Sequence, residues 1–264
     1  MDNDAVYAHA RDFLSRVPLL SSDPEDCLRQ GAGSSRPAVT LTFAQSLDGK
    51  ISRVDRRLLL SGEESSAMTH RLRAIHDGIL VGIGTVLFDD PQLSVRLLPV
   101  SELSDVRHPQ PIVLDSKLRT PLTARLLTGP QSNPRLHPPW IVTGPGYDRQ
   151  RRVELERAGA RVVVVDDCDE SGHPRLTAIT AALRRLGIRR LMVEGGARVI
   201  QSFLESQLVD VLIVTIAPVL VGSSGVPAVA ASAMDSLAIT PLSYEPFGRD
   251  IVMAATIQHV SAHK

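Results

Sequence analysis

The sequence predicts an α/β fold: a mostly parallel central sheet flanked by helices, with antiparallel strands toward the C-terminus. Three observations carry this. Short continuous apolar runs such as Ile79-Leu80-Val81, Ile112-Val113-Leu114 and Val162 to Val165 replace the period-2 alternation of half-exposed strands, which marks strands covered on both faces. Helical segments alternate with these runs through the middle of the chain. In the C-terminal third the helices give out, and VDVLIVTIAPVLVGSSGVP and FGRDIVMAATIQHV read as long strands that an antiparallel pair at the sheet edge accommodates.

Residues 1–20 read as an amphipathic helix, because Val6, Phe13, Leu14 and Val17 fall near helical spacing before Pro18 stops it. Residues 21–37 are polar and loop-like. Together 1–37 form an N-terminal arm that packs on the body or touches a second copy, and 38–264 form one domain. A strand over AVTLTFAQS (Val39, Leu41, Phe43) ends in Ser46-Leu47-Asp48-Gly49, either an ordinary tight turn or a ligand-facing loop. In LSGEESSAMTHRLRAIHD, Ser61 and Glu64 have the spacing of a capping box, and Met68, Leu72 and Ile75 share the buried face of the helix that follows. His70 and Arg73 on that helix either point together toward a site at its edge or belong to a solvated basic face.

The stretch GILVGIGTVLFDDPQLSVR, residues 78–96, reads as a buried strand, a glycine turn and a short helix that Thr85 caps. Without Cβ atoms at Gly82 and Gly84, a flat or anionic ligand can approach the main chain, and a helix starting there adds its positive end. Residues 99–110 read as a loop. Strands follow at Ile112 to Leu114, ending in Asp115-Ser116, at Trp140 to Val142 and at Val162 to Val165, with helices over YDRQRRVELERAGA and TAITAALRRLGI. The strand RRLMVEGG then meets the helix VIQSFLESQLV through Gly195 and Gly196, a second turn whose amides suit a pyrophosphate.

Composition narrows the partners. The 264 residues with 43% hydrophobic content are enough for a full core, and the 29 basic and 29 acidic residues balance. That balance gives no electrostatic footprint for nucleic acid or an anionic membrane, which leaves a small molecule as the expected ligand. Cys27 and Cys168 lie far apart with no His/Cys cluster nearby, so both are expected as free thiols, with no metal site. With no apolar run of roughly 18 residues and no signal-peptide pattern, the expected location is the cytoplasm.

Two glycine turns after two buried strands point to a dinucleotide, but not to the Rossmann fingerprint. Gly82-Ile83-Gly84-Thr85-Val86-Leu87 has leucine at the third glycine position, and no acidic residue ends a strand about 20 residues later. None of Tyr7, Tyr147 and Tyr244 has a lysine four residues on, against the short-chain dehydrogenase arrangement.

The segments TLTFAQSLDGKIS, LSGEESSAMTHRLRAIHDGILVGIGTVLFDDPQLSVR, PIVLDSKLRTP and LMVEGGARVIQSFL, in this order and spacing, resemble the riboflavin-biosynthesis pyrimidine reductases of dihydrofolate-reductase-like fold, particularly the stand-alone fungal and archaeal ones. The resemblance implies NADPH as cofactor, with Thr85 and Asp89 of GTxxxxD, Ser116, Val165 (preferred over Val164), and Gly195, Gly196, Ala197, Arg198 and Val199 as its contacts. For the substrate, a pyrimidine carrying a ribosylamino 5′-phosphate, it implies Arg73, Arg96 and Glu194, and Ser61 is added as a further candidate contact. It also implies a homodimer. The H-x-E and P-C-x-x-C zinc motifs of the deaminase domain in bifunctional members are absent from the sequence, so reduction without deamination is expected.

The chemistry asks for hydride delivery to C1′ and docking of a dianionic phosphate, a task that suits the planar forks of Arg73 and Arg96. Glu194 and Asp48 are the candidate acid or base near C1′, with a water as the alternative donor. For a 2′-phosphate, Ser116, Lys117 and Thr143-Gly144-Pro145-Gly146 are available. The competing readings are a dihydrofolate-type reductase on the same fold and a nucleotide-binding module without catalysis.

Overall fold

The computed structural model describes residues 3–20, 34–53, 58–229 and 237–258. Cys27 and most of the polar stretch after the first helix lie outside these. Helix α1 (Asn3–Ser15) precedes β1 (Ala38–Ser46), β2 (Lys50–Arg53), α2 (Glu63–Ala74), β3 (Gly78–Gly82) and α3 (Ile83–Asp89). Next come α4 (Val100–Leu103), β4 (Gln110–Leu114), α5 (Arg125–Ser132), β5 (Trp140–Thr143), α6 (Arg149–Arg157) and β6 (Arg161–Val164). The chain continues through α7 (Leu176–Arg185), β7 (Arg190–Glu194), α8 (Ala197–Glu205), β8 (Val211–Ala217), β9 (Gly225–Pro227), β10 (Ala238–Phe247) and β11 (Asp250–Gln258).

Nine strands form one sheet in the order β10-β11-β8-β1-β7-β3-β4-β5-β6. From β8 to β6 every pairing is parallel, and the β10–β11 hairpin adds to β8 antiparallel, as the sequence predicts. Alternate residues of each apolar run go to opposite faces, which is why the runs are continuous. Ile79, Val81, Val113 and Met192 join Phe13, Leu14, Met68 and Leu72 of α1 and α2 on one face. Leu80, Ile112, Leu191 and Val193 join Ile179, Leu183, Ile200 and Phe203 of α7 and α8 on the other.

This division sets the site. The neighbouring strands β3 and β7 send their following helices to opposite faces: α3 buries Ile83 and Val86 with α1 and α2, and α8 buries Ile200, Phe203 and Leu204 with α7. Such a reversal between adjacent parallel strands opens a crevice at their carboxyl ends.

Helix α1 is firmly packed. Phe13 is fully buried and meets Phe247 edge-on at 5.4 Å, His9 stacks on the same ring at 4.4 Å, and Arg16 pairs with Glu245 at 3.0 Å. Helix α1 thus braces the end of the β10–β11 hairpin.

The structure corrects several expectations. Ser61 does not cap α2; the N-cap is Gly62, with no side-chain cap of its own. Its amide donates to Asp250 Oδ2 at 2.7 Å, and the Ser65 hydroxyl donates to the same oxygen. A buried carboxylate at the positive end of the helix replaces the local hydroxyl, and it arrives from the far end of the sequence. Thr85 does not cap α3 either, since the helix begins directly from Gly82 at the strand end. Residues 100–103 form the short helix α4 inside the expected loop. Helix α5 forms despite Gly129 and Pro130 because Leu126 and Leu127 are both buried. The expected long strand after Val209 stops at Ala217, before Pro218, and β9 pairs instead with β2 in a separate two-stranded sheet.

Candidate active site

The two glycine turns meet. A Cβ placed on Gly82 would lie 2.8 Å from Val199 Cγ2, so the start of α8 lies directly against the end of β3. A Cβ on Gly196 would project toward Thr85 Oγ1, 3.7 Å away, across the gap between the two helix starts. Neither α3 nor α8 has a side-chain cap, so the first amides of both helices are left to other acceptors at the crevice. Two positive helix ends beside a threonine hydroxyl, with no side chain at Gly196, suit a diphosphate.

Beside this cradle stands a cluster of charges carried by α2, β7 and the chain after α3. Arg73 grips Glu194 with two parallel hydrogen bonds, Nε to Oε1 and Nη2 to Oε2, both 2.7 Å. Its Nη1 donates to the Ser94 carbonyl at 3.1 Å. Arg96 Nη1 donates to Ser94 Oγ at 3.2 Å. Partial burial of the Arg96 guanidinium, then the charges of Arg73 and Arg125, lower its pKa from the ordinary value, with Glu194 opposing. Glu194 is already spent on Arg73, so Arg96 remains a cation without a dedicated carboxylate among its described contacts.

His70 is buried rather than part of a solvated face. Burial, then the nearby charges of Arg73 and Arg96, push its pKa down to about 3. The ring is therefore neutral, and its Nδ1 accepts the Arg96 amide at 2.9 Å.

The remaining expected residues are distributed along the carboxyl edge of the sheet. Asp48 follows β1 and serves as a tether: Oδ1 accepts from Ser46 Oγ at 2.6 Å and from the Val221 amide at 3.0 Å, and Oδ2 from the Gly222 amide at 2.8 Å. The Ser46 hydroxyl and those amides hold its pKa down to about 2, a value suited to an anchor and poorly suited to a proton donor. Asp89 is the half-buried last residue of α3. Ser116 follows the buried Asp115, and its carbonyl accepts from Thr143 Oγ1 at 3.2 Å, while Lys117 beside it is exposed. Val165 is buried and donates its amide to the Thr143 carbonyl at 2.9 Å. It extends β6, three strands from β3, roughly 14 Å at about 4.8 Å per strand. Gly144 has a packing reason: a Cβ would meet the Gly172 carbonyl at 2.9 Å and Cys168 Sγ at 3.1 Å. Arg198 is exposed in the first turn of α8, and Ser61 is half-buried one residue before the α2 cap. Cys168 is a free thiol.

Three participants escaped the sequence reading. Ser94 lies inside the quoted DDPQLSVR stretch without a motif position of its own. Asp90, in a left-handed conformation at the end of α3, accepts the Arg125 amide at 2.8 Å, which brings α5 to the site. His108 accepts the Val95 amide at 3.2 Å.

Residues 37–253 match the RibD C-terminal domain. The chain belongs to this family. It is 38% identical over 221 residues to the 2,5-diamino-6-ribosylamino-4(3H)-pyrimidinone 5′-phosphate reductase of Debaryomyces hansenii, covering 81% of this chain and 87% of that one. The solved riboflavin biosynthesis reductase of Saccharomyces cerevisiae superposes with a TM-score of 0.70 at 29% identity, covering 94% of this chain and 98% of the other. RibD of Acinetobacter baumannii gives a TM-score of 0.76 at 25% identity over 90% of this chain, which spans 63% of that longer protein. The fold expected from the sequence is that of the RibD family. Among the described residues no helix is long and apolar enough to cross a membrane.

Proposed function

We propose that this RibD-family chain reduces the ribosyl side chain of 2,5-diamino-6-ribosylamino-4(3H)-pyrimidinone 5′-phosphate to the ribityl side chain, with NADPH as reductant, in riboflavin biosynthesis. The observation that carries this is the meeting of the Gly82–Thr85 and Gly195–Val199 turns next to Arg73, Glu194 and Arg96. The cradle suits a dinucleotide: the amides of Ala197 and Arg198, the Arg198 side chain and the Thr85 hydroxyl would hold its diphosphate, and Asp89, Ser116, Val165 and Val199 would contact the rest of it. Ser116 and the exposed Lys117 support NADP over NAD, because they offer a hydroxyl and a cation to a 2′-phosphate. When bound, the reduced nicotinamide supplies a hydride.

The chain positions the other reactant. Arg96 takes the 5′-phosphate, Arg73 is aimed by its fork on Glu194, and Arg125 adds positive charge to the same pocket. In the reaction the C1′–O4′ bond breaks, hydride forms a C1′–H bond, and O4′ takes a proton. Glu194 orients Arg73 and Asp48 anchors the loop after β8, so we assign that proton to a water rather than to either carboxylate, and Ser61 to the rim of the pocket. Rate then rests on positioning, which can supply a large part of a barrier reduction when the reacting atoms are held in near-attack contact.

Residues 38–264 act as the reductase domain and 1–37 as its brace, in a cytoplasmic homodimer. The exposed Ile239, Leu242 and Tyr244 on the terminal strand β10 support the dimer. NADPH oxidation assayed side by side with the ribosylaminopyrimidine phosphate and with dihydrofolate tests the reading. Turnover of the first substrate is expected; oxidation with dihydrofolate alone would overturn it, and a tight NADPH complex that turns over neither would identify a binding module.

A further inference from the structure

Three consecutive residues after α3 are held by side chains from two parts of the molecule, α2 and the segment before β4. The Ser94 carbonyl accepts from Arg73, the Val95 amide donates to Nδ1 of His108 at 3.2 Å, and the Arg96 amide donates to Nδ1 of His70 at 2.9 Å. Both imidazoles are buried, and they come from separate places, His70 from the middle of α2 and His108 from the segment just before β4. We infer that His70 and His108 form a clamp on the main chain at Val95 and Arg96 that aims the Arg96 guanidinium at the substrate's phosphate.

The chemistry of the two contacts supports this. Main-chain amides require acceptors, and an imidazole nitrogen accepts only when it carries no proton. Burial lowers the pKa of both rings, and the neighbouring arginines Arg73 and Arg96 at His70, and Arg135 with His137 at His108, push the same way. Each ring therefore presents an acceptor at Nδ1 and keeps its proton on Nε2. The left-handed backbone at Leu93, φ 52°, turns the chain immediately before the clamped residues, so an unanchored segment would lose its direction here. With Arg73 fixed by Glu194, the clamp leaves the Arg96 side chain as the adjustable arm. His70 and His108 are positioning residues in this account; neither touches the reacting atoms.

The inference rests on the phosphate-docking role proposed for Arg96, and its test separates the two. In His70→Ala, KM for the phosphorylated substrate is expected to rise about tenfold with kcat within twofold, while the dephosphorylated substrate shows no change. His70→Asn, whose side-chain oxygen can stand near the Nδ1 position, is expected to recover most of the loss. In an Arg96→Ala background His70→Ala should add less than twofold. Independently of any substrate, hydrogen exchange of the Arg96 amide is expected to accelerate at least tenfold in His70→Ala, and that of the Val95 amide in His108→Ala. Unchanged exchange at Arg96 would overturn the clamp, and so would equal KM increases for the two substrates. Faster exchange in an enzyme that never turns over the pyrimidine would uphold the clamp and remove the functional reading. Should His70→Ala fail to fold, the test passes to His108→Ala, where faster exchange of the Val95 amide and a KM rise confined to the phosphorylated substrate are expected; unchanged exchange, or equal KM rises for the two substrates, would overturn the clamp.

Discussion

Gly82→Ala is the sharpest perturbation of the crevice. The Gly82 backbone, φ −81° and ψ 156°, is one that alanine adopts freely, so the substitution adds a methyl group and no backbone strain. That methyl would lie 2.8 Å from Val199 Cγ2, whereas carbon atoms rest at about 3.5–4.0 Å. Val199 must therefore leave its rotamer, or the end of β3 and the start of α8 must separate by about 0.7 Å or more, and forced overpacking of this kind costs about 1–3 kcal/mol. Thermal melting should show a loss of several degrees. NADPH titration followed by nicotinamide fluorescence should show a Kd raised about tenfold, about 1.4 kcal/mol, as the first turn of α8 shifts from its place beside Thr85. Val199→Ala in the same chain removes the colliding methyl and should restore most of the stability, giving a coupling energy of about 1 kcal/mol in a double-mutant cycle. Wild-type melting in Gly82→Ala, or strictly additive losses in the double variant, would refute the claim that close approach of the two turns builds the site.

The other expectations are more direct. Arg96→Ala should raise KM for the phosphorylated substrate at least tenfold, about 1.4 kcal/mol, in steady-state assays; an unchanged KM removes Arg96 from the phosphate site. His70 and His76 are buried neutral, with pKa values lowered to about 3 and about 4 from 6.5, chiefly by burial. The unfolded chain therefore binds more protons than the native one below pH 6.5, so their contribution to stability is complete above that pH. It falls with acidification by about 1.4 kcal/mol per pH unit for each ring until the folded values are reached. Urea midpoints at pH 7 and pH 5 should reveal the loss, which His70→Asn should reduce. Phe13→Ala, which empties a fully buried position of α1 against Phe247, should cost about 3–5 kcal/mol in a denaturant titration. A loss below 1 kcal/mol would show α1 to be a dispensable appendage.

Features that depend on local pattern were readable from the sequence, and those that depend on distant partners were not. The buried strands announce themselves because both faces of the sheet need apolar side chains, and the two turns announce themselves because a Cβ would collide with Val199 at Gly82 and crowd Val199 and Ile200 at Gly195. Capping of α2 failed as a local reading: Ser61 has the right spacing, but the carboxylate of Asp250, fixed by the β10–β11 hairpin, reaches the helix end first. Helix α5 carries Gly129 and Pro130, which give it no helical signature in the sequence, and burial of Leu126 and Leu127 outweighs that poor propensity. Spacing alone leaves His70 and Arg73 open between a pair aimed at a site and a solvated basic face. What buries them is the chain around Ser94 and Glu194, far away in sequence. Asp48, a candidate acid by its place at a strand end, is held by two amides of the loop after β8, and no pattern near residue 48 foretells that contact.

In the function proposed above, the starts of α3 and α8 clasp one nicotinamide dinucleotide beside an arginine-lined phosphate pocket. A crystal structure of the complex with NADP tests this most directly. The diphosphate is expected between Thr85 and the first turn of α8, within hydrogen-bonding distance of the Ala197 and Arg198 amides, and the nicotinamide ring on the side facing Arg73 and Glu194. Density for the dinucleotide elsewhere, or a diphosphate that touches neither turn, would contradict it.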